Sequence, residues 1–203
     1  MSDKKRVAIF GGTFNPPHIA HVKAAERFFD LVNPDVLYII PAGIPPHKEY
    51  SGSVSKEQRL EMCSLAFGHI KNVKISDMEI KREGRSYTYL TLQELADEDT
   101  ELYLLCGTDM FLTLEEWKNP KIIFELATVC VIRRENDLHS ANLIKNKTLD
   151  FINKFSARIL EVPTDVIEIS SSELRDNFKR QDLLENYLPP SVETYIRERN
   201  LYI

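Results

Sequence analysis

Short, almost wholly apolar runs alternate with longer amphipathic stretches along this chain. The runs are Val7–Phe10, Val36–Ile40, Val73–Ile75, Leu102–Cys106, Thr128–Ile132 and Arg158–Val162. Runs of this length without polar alternation predict strands covered on both faces, the habit of parallel sheets. Helical spacing predicts a helix from about Ile19 to Leu31 and another begun by Ser55, with Gln58 completing a capping box. Leu60, Cys63, Leu65, Ala66 and Phe67 form the expected buried stripe of that second helix. Ser86 or Thr88 is expected to cap a helix reaching about Ala96, and Ser171 or Ser172 a later one. A proline-started helix from Pro190 to Asn200 closes the pattern, and the tail from Tyr187 to Ile203 is given a packing role. The expected fold is α/β: a doubly wound, Rossmann-like parallel sheet with helices on both faces and a small C-terminal helical segment over about 171–203. It is read as one domain, 1–203, with ligands at the carboxyl ends of the strands.

Composition narrows the class. The formal net charge of -5 argues against a general nucleic-acid binder, which needs a basic face. Cys63, Cys106 and Cys130 are odd in number and lie in apolar surroundings, so they read as buried thiols of a reducing cytosol. Only four apolar residues follow the charged start, too few for a signal peptide, and no run approaches membrane-spanning length. A cytoplasmic chain with neither membrane nor nucleic-acid partner is expected; self-association into a homo-oligomer is left open.

The chemistry gathers first at Gly11-Gly12-Thr13-Phe14-Asn15-Pro16-Pro17-His18-Ile19-Ala20-His21. The glycines let the backbone turn sharply and approach a ligand, and the prolines suit a first helical turn just beyond. The N-terminus of a helix carries unpaired N–H groups and roughly +0.5 of a charge, which suits an anion. His18 and His21 are three apart, so on a helix they share one face and can donate to phosphate oxygens. Surface decoration and half a metal site are the rival readings, but no metal-type His/Cys cluster accompanies the pair. Neither a P-loop nor a dinucleotide fingerprint is present.

Further candidates follow the other strands. Pro45-Pro46-His47-Lys48 is either a stiff surface loop or a carrier of mobile positive charge. Arg59 stands in a first helical turn, unfavourable for a cation, and suggests a ligand anion, a carboxylate partner or a solvated side chain. Ser86-Tyr87-Thr88-Tyr89 opens a helix whose N–H groups suit a carboxylate. Gly107 permits close approach, and Asp109 suits ribose hydroxyls or an N-cap. Trp117, in polar company, is expected partly exposed on a ligand face. Arg133, at a strand end, suits a phosphate clamp or a solvated turn. Ser170-Ser171-Ser172 with Arg175 can combine helix capping with bidentate phosphate recognition.

The first stretch resembles the H-x-G-H signature of the nucleotidyltransferase superfamily, with Asn15 where Asp is usual and Ala20 where Gly is usual. Taken with Pro45–Lys48, Ser86–Thr88, Gly107–Asp109, Trp117, Ile169–Arg175, Tyr187–Pro190 and Leu201–Tyr202, nearly the whole chain resembles the bacterial nicotinate mononucleotide adenylyltransferases. Leu90 departs from the Asp common in that family. The resemblance implies transfer of the adenylyl group of ATP to nicotinate mononucleotide, giving nicotinate adenine dinucleotide and pyrophosphate, with Mg²⁺ brought by ATP. It implies catalytic roles for His18, His21, Lys48 and Arg175. It places ATP against Gly11, Gly12, Thr13, Phe14, His18, His21, Gly107, Asp109, Ser171, Ser172 and Arg175. It places the mononucleotide against Asn15, His47, Lys48, Thr88, Tyr89, Trp117 and Arg133, with no protein-only metal site. Nicotinamide mononucleotide as acceptor, and a catalytically silent nucleotide-binding regulator, remain the alternatives; phosphopantetheine is a weaker one. A class I aminoacyl-tRNA synthetase shares the signature, but this chain is short, acidic and lacks a K-M-S-K-S loop.

Overall fold

A computed structural model describes residues 4–46, 54–133, 138–163, 169–178 and 187–202. The chain runs β1 (Lys5–Gly12), α1 (Ile19–Val32), β2 (Val36–Pro41), α2 (Lys56–Phe67), β3 (Val73–Ile75), α3 (Met78–Lys81), α4 (Thr88–Leu95) and β4 (Thr100–Gly107). It continues through α5 (Thr108–Leu112), a 3₁₀ turn (Leu114–Glu116), α6 (Pro120–Leu126), β5 (Ala127–Ile132), α7 (Leu138–Phe155), β6 (Ile159–Val162), α8 (Ser171–Asn177) and α9 (Pro190–Glu198). Each apolar run is a strand, and each pairing is parallel.

The order β3-β2-β1-β4-β5-β6 sets the location of the site. From β1 the chain winds outward through β2 and β3, then returns to β4 on the other side of β1 and winds away. The reversal between β1 and β4 opens a crevice outside their carboxyl ends, where open α/β sheets bind ligands. Register puts Gly12 of β1 beside Pro41, and Gly107 of β4 beside Ile132, so four loops leave the same edge.

Strand side chains alternate between two cores. Ala8, Phe10, Leu37, Ile39, Leu105, Cys130 and Ile132 pack with α1, α2 and α9; Val7, Ile9, Val36, Ile40, Leu104, Cys106 and Val131 pack with α4 to α7. All three cysteines are buried and unpaired. Burial pushes the thiols of Cys106 and Cys130 up to about 12 and that of Cys63 higher still, so none supplies a thiolate near neutrality.

One local expectation fails instructively. In α2 the buried side chains are Arg59, Met62, Cys63, Ala66 and Phe67, whereas Leu65 is exposed and Leu60 only partly covered. The buried stripe is rotated because an arginine, not a leucine, occupies the inward position of its first turn. The tail does more than pack: the carbonyl of Tyr187 accepts from the backbone N–H of Ile19, satisfying an otherwise open donor of α1.

Candidate active site

The loop between β1 and α1 is held from many directions. Gly12 is required by its neighbour: a Cβ there would lie 2.9 Å from the Phe14 ring. Phe14 has a positive φ of 48°, a left-handed conformation that a bulky residue adopts only under constraint. The constraint is aromatic. Its ring sits edge-on to Phe10 at 5.3 Å, to Phe67 at 5.5 Å and to His21 at 5.2 Å, and is almost wholly buried. The Phe14 side chain is therefore part of the core, and only its backbone can face a nucleotide.

Oxygen atoms of this loop accept from distant parts of the chain. Arg59 donates from Nη1 to the Thr13 carbonyl at 2.7 Å, Arg175 from Nη1 to the Asn15 carbonyl at 2.7 Å, and Ser171 Oγ to the Pro16 carbonyl at 2.9 Å. The Tyr202 hydroxyl donates to Asn15 Oδ1 at 2.6 Å. α2, α8 and the C-terminal segment thus converge on Thr13, Asn15 and Pro16 at the switch point.

The two histidines stand directly beyond. His18 is the N-cap of α1 rather than a residue of its first turn, and His21 occupies the third helical position. Their rings stack with centroids 3.7 Å apart, and His18 is buried. The backbone N–H of His18 donates to His21 Nδ1 at 3.3 Å. A neutral His21 then carries its proton on Nε2, which leaves that nitrogen as a donor.

Arg59 overturns the solvated reading. It is fully buried, and its guanidinium bonds to backbone: Thr13 O, Ala42 O at 2.6 Å and Gly43 O at 3.3 Å. A planar fork with several donors suits this bridge between the β1–α1 and β2–α2 loops. A cation early in a helix was the visible signal; its partners were not, because carbonyl acceptors leave no mark in side-chain spacing.

The second loop is laced to the segment before α4. Gly43 N–H donates to Ser86 Oγ at 2.8 Å, Ser86 N–H to the Ile44 carbonyl at 2.9 Å, and Arg85 Nη1 to the Pro46 carbonyl at 2.9 Å. A Cβ on Gly43 would lie 2.2 Å from the Glu79 carbonyl oxygen, so no larger residue fits without backbone movement. Burial pushes the Glu79 carboxyl up, opposed by hydrogen bonds from Thr91 and Ser86; the Thr91 hydroxyl donates at 2.6 Å. Ser86 is thus a loop tie. The N-cap of α4 is Tyr87, without a side-chain cap, and no acidic residue lies in its first turn. His47 and Lys48 lie outside the described residues.

Capping at α8 also differs from expectation. Ser170, not Ser171 or Ser172, is the N-cap, and Glu173 completes its capping box. Hydrogen bonds from Ser170 hold the Glu173 carboxyl below its ordinary value. Ser171 directs its proton at Pro16, which seats α8 on the loop, while Ser172 Oγ accepts from Arg175 Nη2 at 3.0 Å. Both side chains are solvent-accessible, and in this bond Ser172 Oγ serves as acceptor while only one nitrogen of the Arg175 fork is used.

At the remaining strand ends, Gly107 is the N-cap of α5, so Asp109 is not; it is exposed in the first turn. Trp117 is half-buried beside the second core, with Tyr38, Met78 and Tyr89 among the other partly covered residues there. Arg133 pairs through Nε with Glu161 on β6 at 3.0 Å. Gly11 is exposed at the end of β1, and Thr13 and Thr88 are half-buried. Among the described residues no group of three or more His, Cys, Asp or Glu could hold a metal ion. No described helix is long and apolar enough to cross a membrane.

Residues 9–177 match the family described as cytidylyltransferase-like. A Lachnoclostridium phytofermentans protein named "Probable nicotinate-nucleotide adenylyltransferase" is 32% identical over 98% of this chain and 100% of its own length. A Clostridium botulinum protein of the same name is 34% identical over 98% of each. Among solved structures, a Plasmodium falciparum nicotinic acid mononucleotide adenylyltransferase complexed with NaAD superposes with a TM-score of 0.77. It covers 98% of this chain and 97% of that one at 20% identity, a likeness of fold.

Proposed function

The chain belongs to the cytidylyltransferase-like family and, within it, to the nicotinate-nucleotide adenylyltransferases, and we propose that the cradle around Thr13–His21 is where it joins ATP to nicotinate mononucleotide. It is a nucleotidyltransferase. The product is nicotinate adenine dinucleotide, and pyrophosphate is released.

One observation carries the assignment of the site. Ser171 and Arg175 are bonded to Pro16 and Asn15, two and three residues before His18, so the two candidate phosphate-binding stretches share one loop. His18 and His21 approach the triphosphate from α1, while Ser172 and Arg175 approach it from α8. Gly11, Gly12, Thr13 and the Phe14 backbone line the turn, and Gly107 and Asp109 meet ribose at the end of β4. Asn15, Thr88, Tyr89 and Trp117 receive the mononucleotide, and His47 and Lys48, which lie outside the described residues, are assigned to it on the family resemblance alone. Arg133 borders that pocket while tied to Glu161.

The phosphate of the mononucleotide is itself the nucleophile. One of its oxygens bonds in line to the α-phosphorus of ATP as the bond from that phosphorus to the oxygen bridging the β-phosphate breaks, and the electron pair leaves with pyrophosphate. No protein nucleophile is needed; alignment and charge neutralisation are. His21 donates from Nε2, and Arg175 presents its guanidinium fork to oxygens that gain charge. Nucleotidyltransferases of this family use a divalent metal; we assign it as Mg²⁺ carried by the triphosphate, where it neutralises phosphate charge.

For the acid rather than the amide, the supporting feature is α4. Its N-terminus has no side-chain cap and no acidic residue in the first turn, Leu90 included, so the N–H groups of Thr88 and Tyr89 suit a carboxylate. The three buried thiols accord with a reducing cytoplasm. Pyrophosphate release from ATP with nicotinate mononucleotide, set against release with nicotinamide mononucleotide, tests the reading. Preference for the acid is expected; equal rates would overturn the α4 assignment, and no release with either would overturn the activity.

A further inference from the structure

Glu79, on α3, is a carboxyl side chain inside the protein, and two hydroxyls that are buried with it, those of Ser86 and Thr91, donate to it. Each hydroxyl oxygen accepts in turn from a group that can only donate. Ser86 Oγ takes the Gly43 N–H at 2.8 Å, and Thr91 Oγ1 takes Arg82 Nη1 at 3.0 Å. The chain of bonds therefore runs inward from both ends and closes on the carboxylate, which only accepts. Arg82 is held in place through Nη2 by Glu94, further along α4. Burying a carboxyl costs more than burying an apolar side chain of similar size, so what Glu79 supplies at this position is its bonds.

Those bonds fall on either side of the groups that the acid reading depends on. Ser86 precedes Thr88 by two residues and Thr91 follows it by three, so the grip of Glu79 brackets the Thr88 and Tyr89 N–H groups at the start of α4. Through Ser86 it reaches the β2–α2 loop as well, where Gly43 N–H donates to the same hydroxyl. An element with no side-chain cap at its own N-terminus is thus located from behind by a neighbouring one.

We propose that Glu79 is a positioning residue that, by holding Ser86 and Thr91, fixes the start of α4 and with it the N–H groups that distinguish nicotinate from nicotinamide mononucleotide. This rests on the reading of α4 as the element that receives the carboxylate. Glu79 acts through α4, not on the substrate.

The test is Glu79→Gln, which keeps the volume. An amide has one accepting end and one donating end, and each hydroxyl it meets already accepts from an N–H, so one hydroxyl proton loses its buried acceptor. The preference for the acid, read as the ratio of kcat/KM for nicotinate mononucleotide to that for nicotinamide mononucleotide, falls by about 3–10-fold, the worth of one displaced hydrogen bond. KM for ATP stays within twofold of the native value. Thr91→Val keeps the shape and removes one of the two hydroxyls; it lowers the preference in the same direction, and adding it to Glu79→Gln lowers it by less than a further twofold. Should Glu79→Gln fail to fold, Thr91→Val alone decides, with the same expected direction. A preference that rises on loss of the carboxylate overturns the proposal, because the buried charge would then be acting on the substrate directly. So do fully additive effects of the two substitutions. So does an equal loss with both mononucleotides and ATP together with a falling melting temperature, the mark of a purely structural tie. A native enzyme without preference for the acid removes the α4 reading and this inference with it. A native preference that both variants retain within twofold removes this inference alone.

Discussion

Arg175 and Asn15, 160 positions apart in the sequence, are joined by a hydrogen bond of 2.7 Å from the guanidinium to the backbone carbonyl. The same guanidinium reaches Ser172 Oγ at 3.0 Å. One side chain thus ties α8 to the β1–α1 loop and leaves other donors of its fork for a ligand. Arg175→Lys replaces the fork by a single ammonium, which cannot serve loop, serine and phosphate at once. The expected outcome is a fall in kcat/KM for ATP of about 10–100-fold, corresponding to loss of about 1.5–3 kcal/mol from a charged hydrogen bond. Steady-state kinetics with ATP varied at saturating mononucleotide measure it. A change below twofold would place the arginine outside the phosphate site.

The stacked pair His18 and His21 leads to a second expectation. With their centroids 3.7 Å apart, each ring fixes the other, and the His18 backbone fixes the proton of a neutral His21. Preorganised donors matter most in the transition state, because no reorganisation is then required. His18→Ala removes one ring and the support of the other. We expect kcat to fall by about 10²-fold or more, the range for one lost donor. Single-turnover rates on a variant with native circular dichroism decide the point, and unchanged turnover would reject the role.

Arg59 supports the site without touching substrate. Its three carbonyl partners belong to the two loops that flank the crevice, and the side chain is fully buried. Arg59→Met fills much of the volume but leaves those carbonyls without their donor, at about 1–3 kcal/mol for each one that water cannot reach. Urea unfolding should show a clear loss of stability. Both substrate KM values should rise together, since Arg59 ties the β1–α1 loop to the β2–α2 loop. A variant as stable as the native enzyme would show that the clamp contributes nothing.

The sheet was legible because each strand is a short apolar run bounded by polar segments, and burial on both faces leaves no alternation to confuse it. The loop from Gly11 to His21 was legible for a related reason. Glycine, proline and histidine each restrict what the backbone or side chain can do, and together they admit few structures. Side-chain hydrogen bonds to distant carbonyls were not legible. Arg59 to Ala42, Ser171 to Pro16 and Tyr187 to Ile19 involve acceptors or donors that every residue carries. The cap of α8 lies one or two residues before the expected Ser171 or Ser172 for the same reason. Three successive serines offer the same hydroxyl, and the choice of Ser170 is made by Glu173 three positions on, together with the pull of Pro16 on Ser171. In α2 the spacing left Arg59 open among a ligand anion, a carboxylate partner and solvent, because charge usually lies outward or meets a charge. Its guanidinium points inward because two loops present carbonyls there.

The last prediction concerns acid stability. Glu115, in the 3₁₀ turn after α5, accepts from Lys147 and, at 2.8 Å, from Lys154, both on α7. These bonds, Lys147 foremost, hold its carboxyl down to about 2 from an ordinary value of 4.5. A carboxyl whose folded value is depressed favours the folded state above its unfolded value. That contribution is lost as the proton is taken up between about 4.5 and about 2. Glu115→Gln removes the charge at every pH, so the native enzyme should melt above the variant near pH 6, and the gap should narrow as the pH falls to 3. Added salt should narrow it too, because the pair is partly exposed and screened. Melting curves of both proteins across that range give the answer. A gap that stays constant with pH would show that the carboxylate and its two lysines do not couple α7 to the turn in solution.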